Sequence, residues 1–303
     1  MTGRERTHGQ VKLGAMEFFA GGCAGFVEVC LMHPLDLVKT RFQIQGGPED
    51  VHRYRGIAHC FTTIYKQEGF LSFYKGILPP MCAEFPKRAI KFFMYERFKR
   101  LYGLAGDSIP NWGVLWLSGL STGLTEAVFI NPFEVVKVKL QAERNQFAQQ
   151  KSAWHTFRDI TAEHGYMSRS GIWKGLTATL GRHGVFNMVY FGFYHNVKEI
   201  VPSCEGPFLE FGRKFLIGLI AGSLASCINI PFDVAKSRIQ GPQPVPGQIK
   251  YRTCFATMRT VYIEEGFLAL YKGLLPKVLR LGPGGAIMLL VNEYVLELLK
   301  KHM

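Results

Sequence analysis

Residues 34–41 read Pro34-Leu35-Asp36-Leu37-Val38-Lys39-Thr40-Arg41, and the pattern Pro-x-[Asp/Glu]-x-x-[Lys/Arg]-x-[Lys/Arg] returns twice. It recurs as Pro132-Phe133-Glu134-Val135-Val136-Lys137-Val138-Lys139 and as Pro231-Phe232-Asp233-Val234-Ala235-Lys236-Ser237-Arg238. The prolines stand 132 − 34 = 98 and 231 − 132 = 99 residues apart. One such string is weak evidence, but three in register make the chain one unit built three times. What the copies share describes the fold, and where they differ points to the function.

Before each motif lies an apolar stretch, at residues 18–32, 112–130 and 215–230. Motif and stretch together predict a helix of about 30 residues, more than the ~20 that cross a bilayer. The motif proline removes one backbone hydrogen bond and is expected to bend that helix. After each motif come a polar stretch and an amphipathic segment ending in Glu68-Gly69, His164-Gly165 and Glu265-Gly266. Aromatic-Lys-Gly triplets follow: Tyr74-Lys75-Gly76, Trp173-Lys174-Gly175 and Tyr271-Lys272-Gly273. A second apolar segment then runs over residues 77–98, 176–197 and 274–299. These observations predict an all-α membrane protein with six transmembrane helices in three tandem repeats (14–105, 110–202 and 207–301), forming one domain with a short surface helix in each repeat. The middle repeat departs from the pattern, with three extra residues between Gly165 and Trp173. Glycine pairs Gly21/Gly25, Gly119/Gly123 and Gly218/Gly222 sit at one register before the three prolines, where small residues let membrane helices approach closely.

The composition agrees. The chain is 48% hydrophobic with formal net charge +13, which suits a membrane protein with basic surfaces and anionic ligands. Nucleic acid is not expected as a partner, because the basic residues recur singly at fixed points in apolar segments. The seven cysteines show no C-x-x-C spacing and read as small reduced hydrophobes. Residues 1–12 have no apolar core and do not read as a secretory signal, so organelle targeting is expected within the mature chain. Gly119-Leu120-Ser121-Thr122-Gly123 matches G-x-S-x-G, yet no strand precedes it and the other copies carry Cys23 and Ile220 at the serine position. No H-E-x-x-H, G-x-x-x-x-G-K-[ST] or Rossmann-type G-x-G-x-x-G occurs, so no enzyme, metal or cofactor is expected.

Within each motif the acid and first base are three apart: Asp36 and Lys39, Glu134 and Lys137, Asp233 and Lys236. They can pair along one helix as solvated i,i+3 pairs. In a threefold bundle each acid can instead meet the base of a neighbouring helix, closing a ring of charges that acts as a latch.

The tripled motif, the Gly that ends each amphipathic segment and the aromatic-Lys-Gly triplets together resemble the mitochondrial carrier family over essentially the whole chain. The resemblance implies pseudo-threefold symmetry around a central cavity, in the inner mitochondrial membrane, with alternating access. It makes Asp36, Lys39, Glu134, Lys137, Asp233 and Lys236 the matrix gate and places cardiolipin at the corners marked by Gly76, Gly175 and Gly273. The family's second gate motif, [Phe/Tyr]-[Asp/Glu]-x-x-[Lys/Arg], is complete only in residues 95–99. The second copy has Tyr194-His195 with Lys198, and the third has Asn292-Glu293 with Leu296. Glu96–Lys198 and Glu293–Lys99 are the pairs expected to form the cytoplasmic gate, with His195 facing Leu296. That gate is therefore expected to be the weaker of the two.

A small substrate in a threefold cavity is itself asymmetric, so its ligands are sought where repeats differ. The 99- and 98-residue offsets align Ala83 with Arg182 and Arg280, Glu84 with His183 and Leu281, Lys87 with Phe186 and Gly284, Arg88 with Asn187 and Gly285, and Lys91 with Tyr190 and Met288. Guanidinium grips a carboxylate as a flat fork, whereas ammonium acts as a point charge. Two arginines on separate helices and basic residues on the third suit a small dicarboxylate. The candidate substrate site is Arg182, His183, Arg280, Lys87, Arg88, Lys91 and Asn187. The alternative is that Arg182 and Arg280 merely pair with the intramembrane acids Glu28 and Glu126. The resemblance further implies 2-oxoadipate and 2-oxoglutarate as cargo, because residues 180–187, 229–242 and 280–285 are similar to those of family members exchanging these acids. Nucleotide is the rival cargo, but the adenine nucleotide exchanger's Arg-Arg-Arg-Met-Met-Met run is absent. A non-transporting interaction protein would have lost gate charges or cavity arginines. The expected partners are small dicarboxylates and membrane lipid including cardiolipin, and the expected state is a monomer.

Overall fold

The computed structural model describes residues 3–45, 54–104, 111–166, 168, 170–203, 205–244 and 248–302. Among these residues there is no strand. Six long helices carry the fold: α1 (Gly3–Ile44), α3 (Leu78–Gly103), α4 (Asn111–Ala142), α6 (Leu176–Ile200), α7 (Pro207–Gln240) and α9 (Leu274–His302). Three short helices, α2 (Ile57–Glu68), α5 (Ala153–His164) and α8 (Cys254–Glu265), follow the odd member of each pair. Pro34, Pro132 and Pro231 lie inside α1, α4 and α7, which run on through them.

Four segments are long and apolar enough to cross a membrane: Phe19–Ile44, Asn111–Ala142, Leu209–Gln240 and Phe267–Leu299. The other two long helices, α3 and α6, have 26 and 25 residues, which at ~1.5 Å each exceeds the ~30 Å hydrocarbon core. Their hydropathy is lower because one face carries charge, Glu84 to Lys91 on α3 and Arg182-His183 on α6. Such a face belongs against a polar interior.

The glycines of the sequence pattern have separate tasks. Gly69, Gly165 and Gly266 end the short helices at φ of 86°, 77° and 86°, a conformation that other residues seldom adopt. Gly76 and Gly273 also have positive φ, and a Cβ there would lie 3.2 and 3.3 Å from the carbonyl oxygens of Lys137 and Lys39. Each thus lets the start of an even helix seat against the neighbouring repeat's odd helix.

Helix packing closes a ring. Within repeats α1 meets α3, α4 meets α6 and α7 meets α9; between repeats α3 packs on α4, α6 on α7 and α9 on α1. The odd helices α1, α4 and α7 also touch one another, and they converge where the three motifs lie. This motif end is closed, and the cavity stands above it.

Candidate functional site

The motif charges pair between helices. Lys39 donates to Asp233 at 2.8 Å, Lys137 to Asp36 at 2.9 Å, and Lys236 pairs with Glu134 at 3.0 Å. Each base therefore serves the acid of a different repeat, which joins α1, α4 and α7 in a closed ring. Thr40 and Ser237 brace it from beneath, donating to Gln141 and Gln43 at 2.8 Å.

At the ring is a cavity of about 140 Å³, lined by the ring residues, by Thr40, Gln43 and Ser237 on one side of them and by Ala83, Glu84, Lys87, Arg182 and Arg280 on the other. The aligned positions Ala83, Arg182 and Arg280 thus face one space. Arg280 on α9 donates to Glu28 at 2.6 and 3.1 Å and to Asp36 at 2.6 Å. Arg182 on α6 pairs with Glu134 and lies 3.5 Å from Asp233. The pairing of Arg280 with Glu28 follows the alternative reading of the sequence, whereas Arg182 engages two ring acids in place of Glu126. Both guanidiniums are already carboxylate receptors, and part of what they hold is the ring itself.

Glu126 is taken by His183 and Asn187. The His183 Nδ1 lies 3.1 Å from Glu126, and the Asn187 amide donates to it at 3.0 Å. These two side chains are buried against α4 and do not line the cavity themselves, though His183 Nε2 touches Arg182 and lies 3.6 Å from Glu134, which do. Arg88 also turns aside, donating to Glu84 at 2.7 Å and to the Met288 sulfur at 3.1 Å. Lys91 sits over the rings of Tyr190 and Phe191 at 5.6 and 5.2 Å, a cation–π arrangement. Lys87 lines the cavity and makes no ion pair among the described residues.

Sequence comparison missed Lys277. It donates to Asp233 at 2.8 Å and lies 5.6 Å from the Phe186 ring centroid, so Asp233 serves two lysines and an arginine. The repeat offsets align it with Pro80 and Thr179, one turn before the arginines, and the same comparison of copies would have found it.

At the other end Glu96, Lys99, Lys198 and Glu293 are exposed, and no ion pair joins them among the described residues. The Tyr95 ring stacks on Phe191 at 4.1 Å and on His195 at 5.8 Å, linking α3 to α6. One end is ionic and shut; the other has its charges apart.

A family model described as mitochondrial carrier protein matches this chain three times, at residues 13–105, 110–203 and 208–303. The chain is 60% identical to the mitochondrial 2-oxodicarboxylate carrier of Homo sapiens, over 96% of this chain and 97% of the relative. It is 36% identical to mitochondrial 2-oxodicarboxylate carrier 2 of Saccharomyces cerevisiae, over 91% of each chain. It is also 40% identical to mitochondrial citrate transporter D of Aspergillus niger, over 93% of each.

Proposed function

Because this chain belongs to the mitochondrial carrier protein family, we propose that it is an antiporter of the inner mitochondrial membrane exchanging 2-oxodicarboxylates such as 2-oxoadipate and 2-oxoglutarate. The observation that carries the reading is the pair Arg182 and Arg280, on different helices at one depth of one cavity, each already gripping carboxylates. Relatives at 60% and 36% identity named for 2-oxodicarboxylates support the same cargo.

A dicarboxylate entering from the open end meets Lys87 and Lys91 on α3 and then the two arginines. Its carboxylates compete with Glu28 and Asp36 for Arg280 and with Glu134 for Arg182. Once displaced, Asp36 and Glu134 keep one ring lysine each, and the ring weakens. When the cavity is empty, the arginines return to the ring acids and hold it shut. Binding and opening are thereby coupled, which favours exchange over leak.

The matrix gate is then the ring of Asp36, Lys39, Glu134, Lys137, Asp233 and Lys236. The cytoplasmic gate is built from Glu96, Lys99, Lys198 and Glu293 when α3, α6 and α9 close. Cardiolipin phosphates are assigned to Gly76, Gly175 and Gly273, where the even helices begin and their N-terminal dipoles favour an anion. The protein works as a monomer and performs no catalysis.

The test is uptake of labelled 2-oxoglutarate into liposomes preloaded with counter-substrate, competed with 2-oxoadipate, malate, citrate and ADP. The expected result is strong competition by 2-oxoadipate and little by ADP. Absence of uptake under every counter-exchange condition would overturn the transporter reading.

A further inference from the structure

In the first and third repeats the surface helix ends on a glutamate clamped between two cations. Glu68 accepts two bonds of 3.0 Å from Arg41 and one of 2.6 Å from Lys75. Glu265 accepts from Arg238 at 2.9 Å and from Lys272 at 2.5 Å. A tyrosine hydroxyl completes each site, Tyr54 at 3.3 Å from Arg41 and Tyr251 at 2.9 Å from Arg238. These clamps tie an odd helix to its surface helix and to the turn that begins the even helix.

The middle repeat keeps the cations and has lost the acid. Aligned on their N-caps Gly56, Ser152 and Thr253, the short helices place His164 where Glu68 and Glu265 stand. The same register puts Gln150 in place of the tyrosines. Lys139 replaces Arg41 and Arg238 in the motif, and Lys174 matches Lys75 and Lys272. Instead of a filled clamp there is a cavity of about 370 Å³, lined by Lys139, His164, Lys174 and Glu143 and by the end of α7 at Gln240. Among the described residues Lys139 has no hydrogen bond or ion pair, and Lys174 reaches only the Gly241 carbonyl, at 3.5 Å. The Glu143 side chain pairs with neither lysine. His164 has only its exposed neighbour Glu163, at 3.8 Å. Burial, then the charge of Lys139, push the Lys174 ammonium below its ordinary range.

We propose that this cavity binds an anion bearing phosphate oxygens, which occupies the place held by the chain's own glutamate in the other two repeats. The chemistry fits: two ammonium groups act as point charges and an imidazole can supply a third donor. The space exceeds that of a side-chain carboxylate. Bound there, the anion links α4 to α5 and to the turn before α6, completing in the middle repeat the ionic clamp that the others complete with a glutamate of the chain. The phosphate comes either from a free ion or from a phospholipid headgroup reaching in from the membrane surface.

The experiment is thermal unfolding of the purified full-length carrier in detergent with inorganic phosphate, and separately with added cardiolipin or phosphatidylglycerol. Three variants accompany it: His164→Glu, which supplies the missing carboxylate, Lys139→Gln and Glu143→Gln. With inorganic phosphate the expected result is a rise of about 2 °C or more in the unmodified carrier, larger in Glu143→Gln and lost in His164→Glu and Lys139→Gln. With phospholipid, which is also assigned to the corners at Gly76, Gly175 and Gly273, the rise should be smaller in those two variants than in the unmodified carrier. His164→Glu should also be more stable than its parent without ligand. A rise with inorganic phosphate that both variants lose assigns the site to a free ion, and a phospholipid rise that both variants reduce, with no rise in phosphate, assigns it to a headgroup. The proposal is overturned if neither probe raises the unmodified carrier. It is equally overturned if the rise is undiminished in both His164→Glu and Lys139→Gln, since the anion then binds elsewhere, for example at the cavity arginines.

Discussion

Arg280 donates to Asp36 at 2.6 Å while the same carboxylate accepts from Lys137 at 2.9 Å, so one acid belongs to both the cavity and the ring. Glu134 is shared in the same way between Arg182 and Lys236. The ring is thus fastened from above by the groups proposed to grip substrate, and these contacts can be separated by mutation.

Arg280→Ala removes a two-pronged contact in which each charged hydrogen bond is worth about 1.5–3 kcal/mol, so exchange should fall by about 100-fold or more. The variant also strands Glu28 and leaves Asp36 with Lys137 alone, so its unfolding temperature should drop. Adding Glu28→Gln removes one stranded charge and should restore much of the unfolding temperature without restoring 2-oxoglutarate exchange. Recovery of exchange in the double variant would reduce Arg280 to a structural partner of Glu28.

The two ends should respond unequally to loss of an acid. Glu134 is largely buried and engages Lys236 and Arg182, whereas Glu96 is exposed with no ion pair. Glu134→Gln should lower the unfolding temperature by several degrees and disturb exchange. Glu96→Gln should stay within about 0.5 kcal/mol of the parent, as surface changes usually do. Thermal unfolding and liposome exchange on both variants decide it, and equal effects would contradict a weaker cytoplasmic gate.

The repeated features were legible because each is written three times. The proline strings foretold the ring, though only the folded bundle shows that Lys39 crosses to Asp233 and ignores Asp36 on its own helix. Depth in the cavity was also legible, since the offsets bring Arg182 and Arg280 to one level. Rotation about the helix axis was not. His183 and Asn187 stand at the right depth, yet both are drawn onto α4 by Glu126, with His183 bridging on to Glu134 at 3.6 Å. Arg88 turns away for a local reason, its i,i+4 contact with Glu84. Lys277 also breaks the symmetry, since its counterparts Pro80 and Thr179 carry no charge, but it lies one turn before the span from Ala83 to Lys91 and its equivalents.

Two cysteines report on the surface helices. Burial pushes the Cys60 thiol up to about 12, with Arg41 opposing and Glu68 adding, and burial pushes Cys254 up to about 11. An unfolded thiol ionises near pH 8.5, so unfolding releases these protons above that pH. Their contribution to stability is complete below about pH 8.5 and declines as pH rises toward 11. Replacing both by alanine should flatten the fall in unfolding temperature across this window. Carriers retaining only Cys60 or only Cys254 should resist a thiol-reactive dye at neutral pH until they unfold. Labelling well below the transition would show that these helices open in the native carrier.

The glycine pairs repeat in sequence but not in packing. A Cβ on Gly119 would lie 2.6 Å from the Asn187 carbonyl oxygen, and one on Gly123 would collide with the His183 carbonyl. Both neighbours are backbone, which cannot yield without moving α6. The third repeat has slack, because a Cβ on Gly218 or Gly222 would come no nearer than 3.8 and 3.6 Å to any neighbour, an ordinary contact. Gly119→Ala and Gly123→Ala should therefore cost about 1–3 kcal/mol, as overpacking does, and impair exchange by prising α6 and its Arg182 away from α4. Gly218→Ala and Gly222→Ala should be neutral or mildly stabilising, since alanine is the better helix former. Unfolding temperatures of the four variants test this. A similar loss at all four positions would mean that α7 and α9 also close backbone to backbone in some state of the transport cycle.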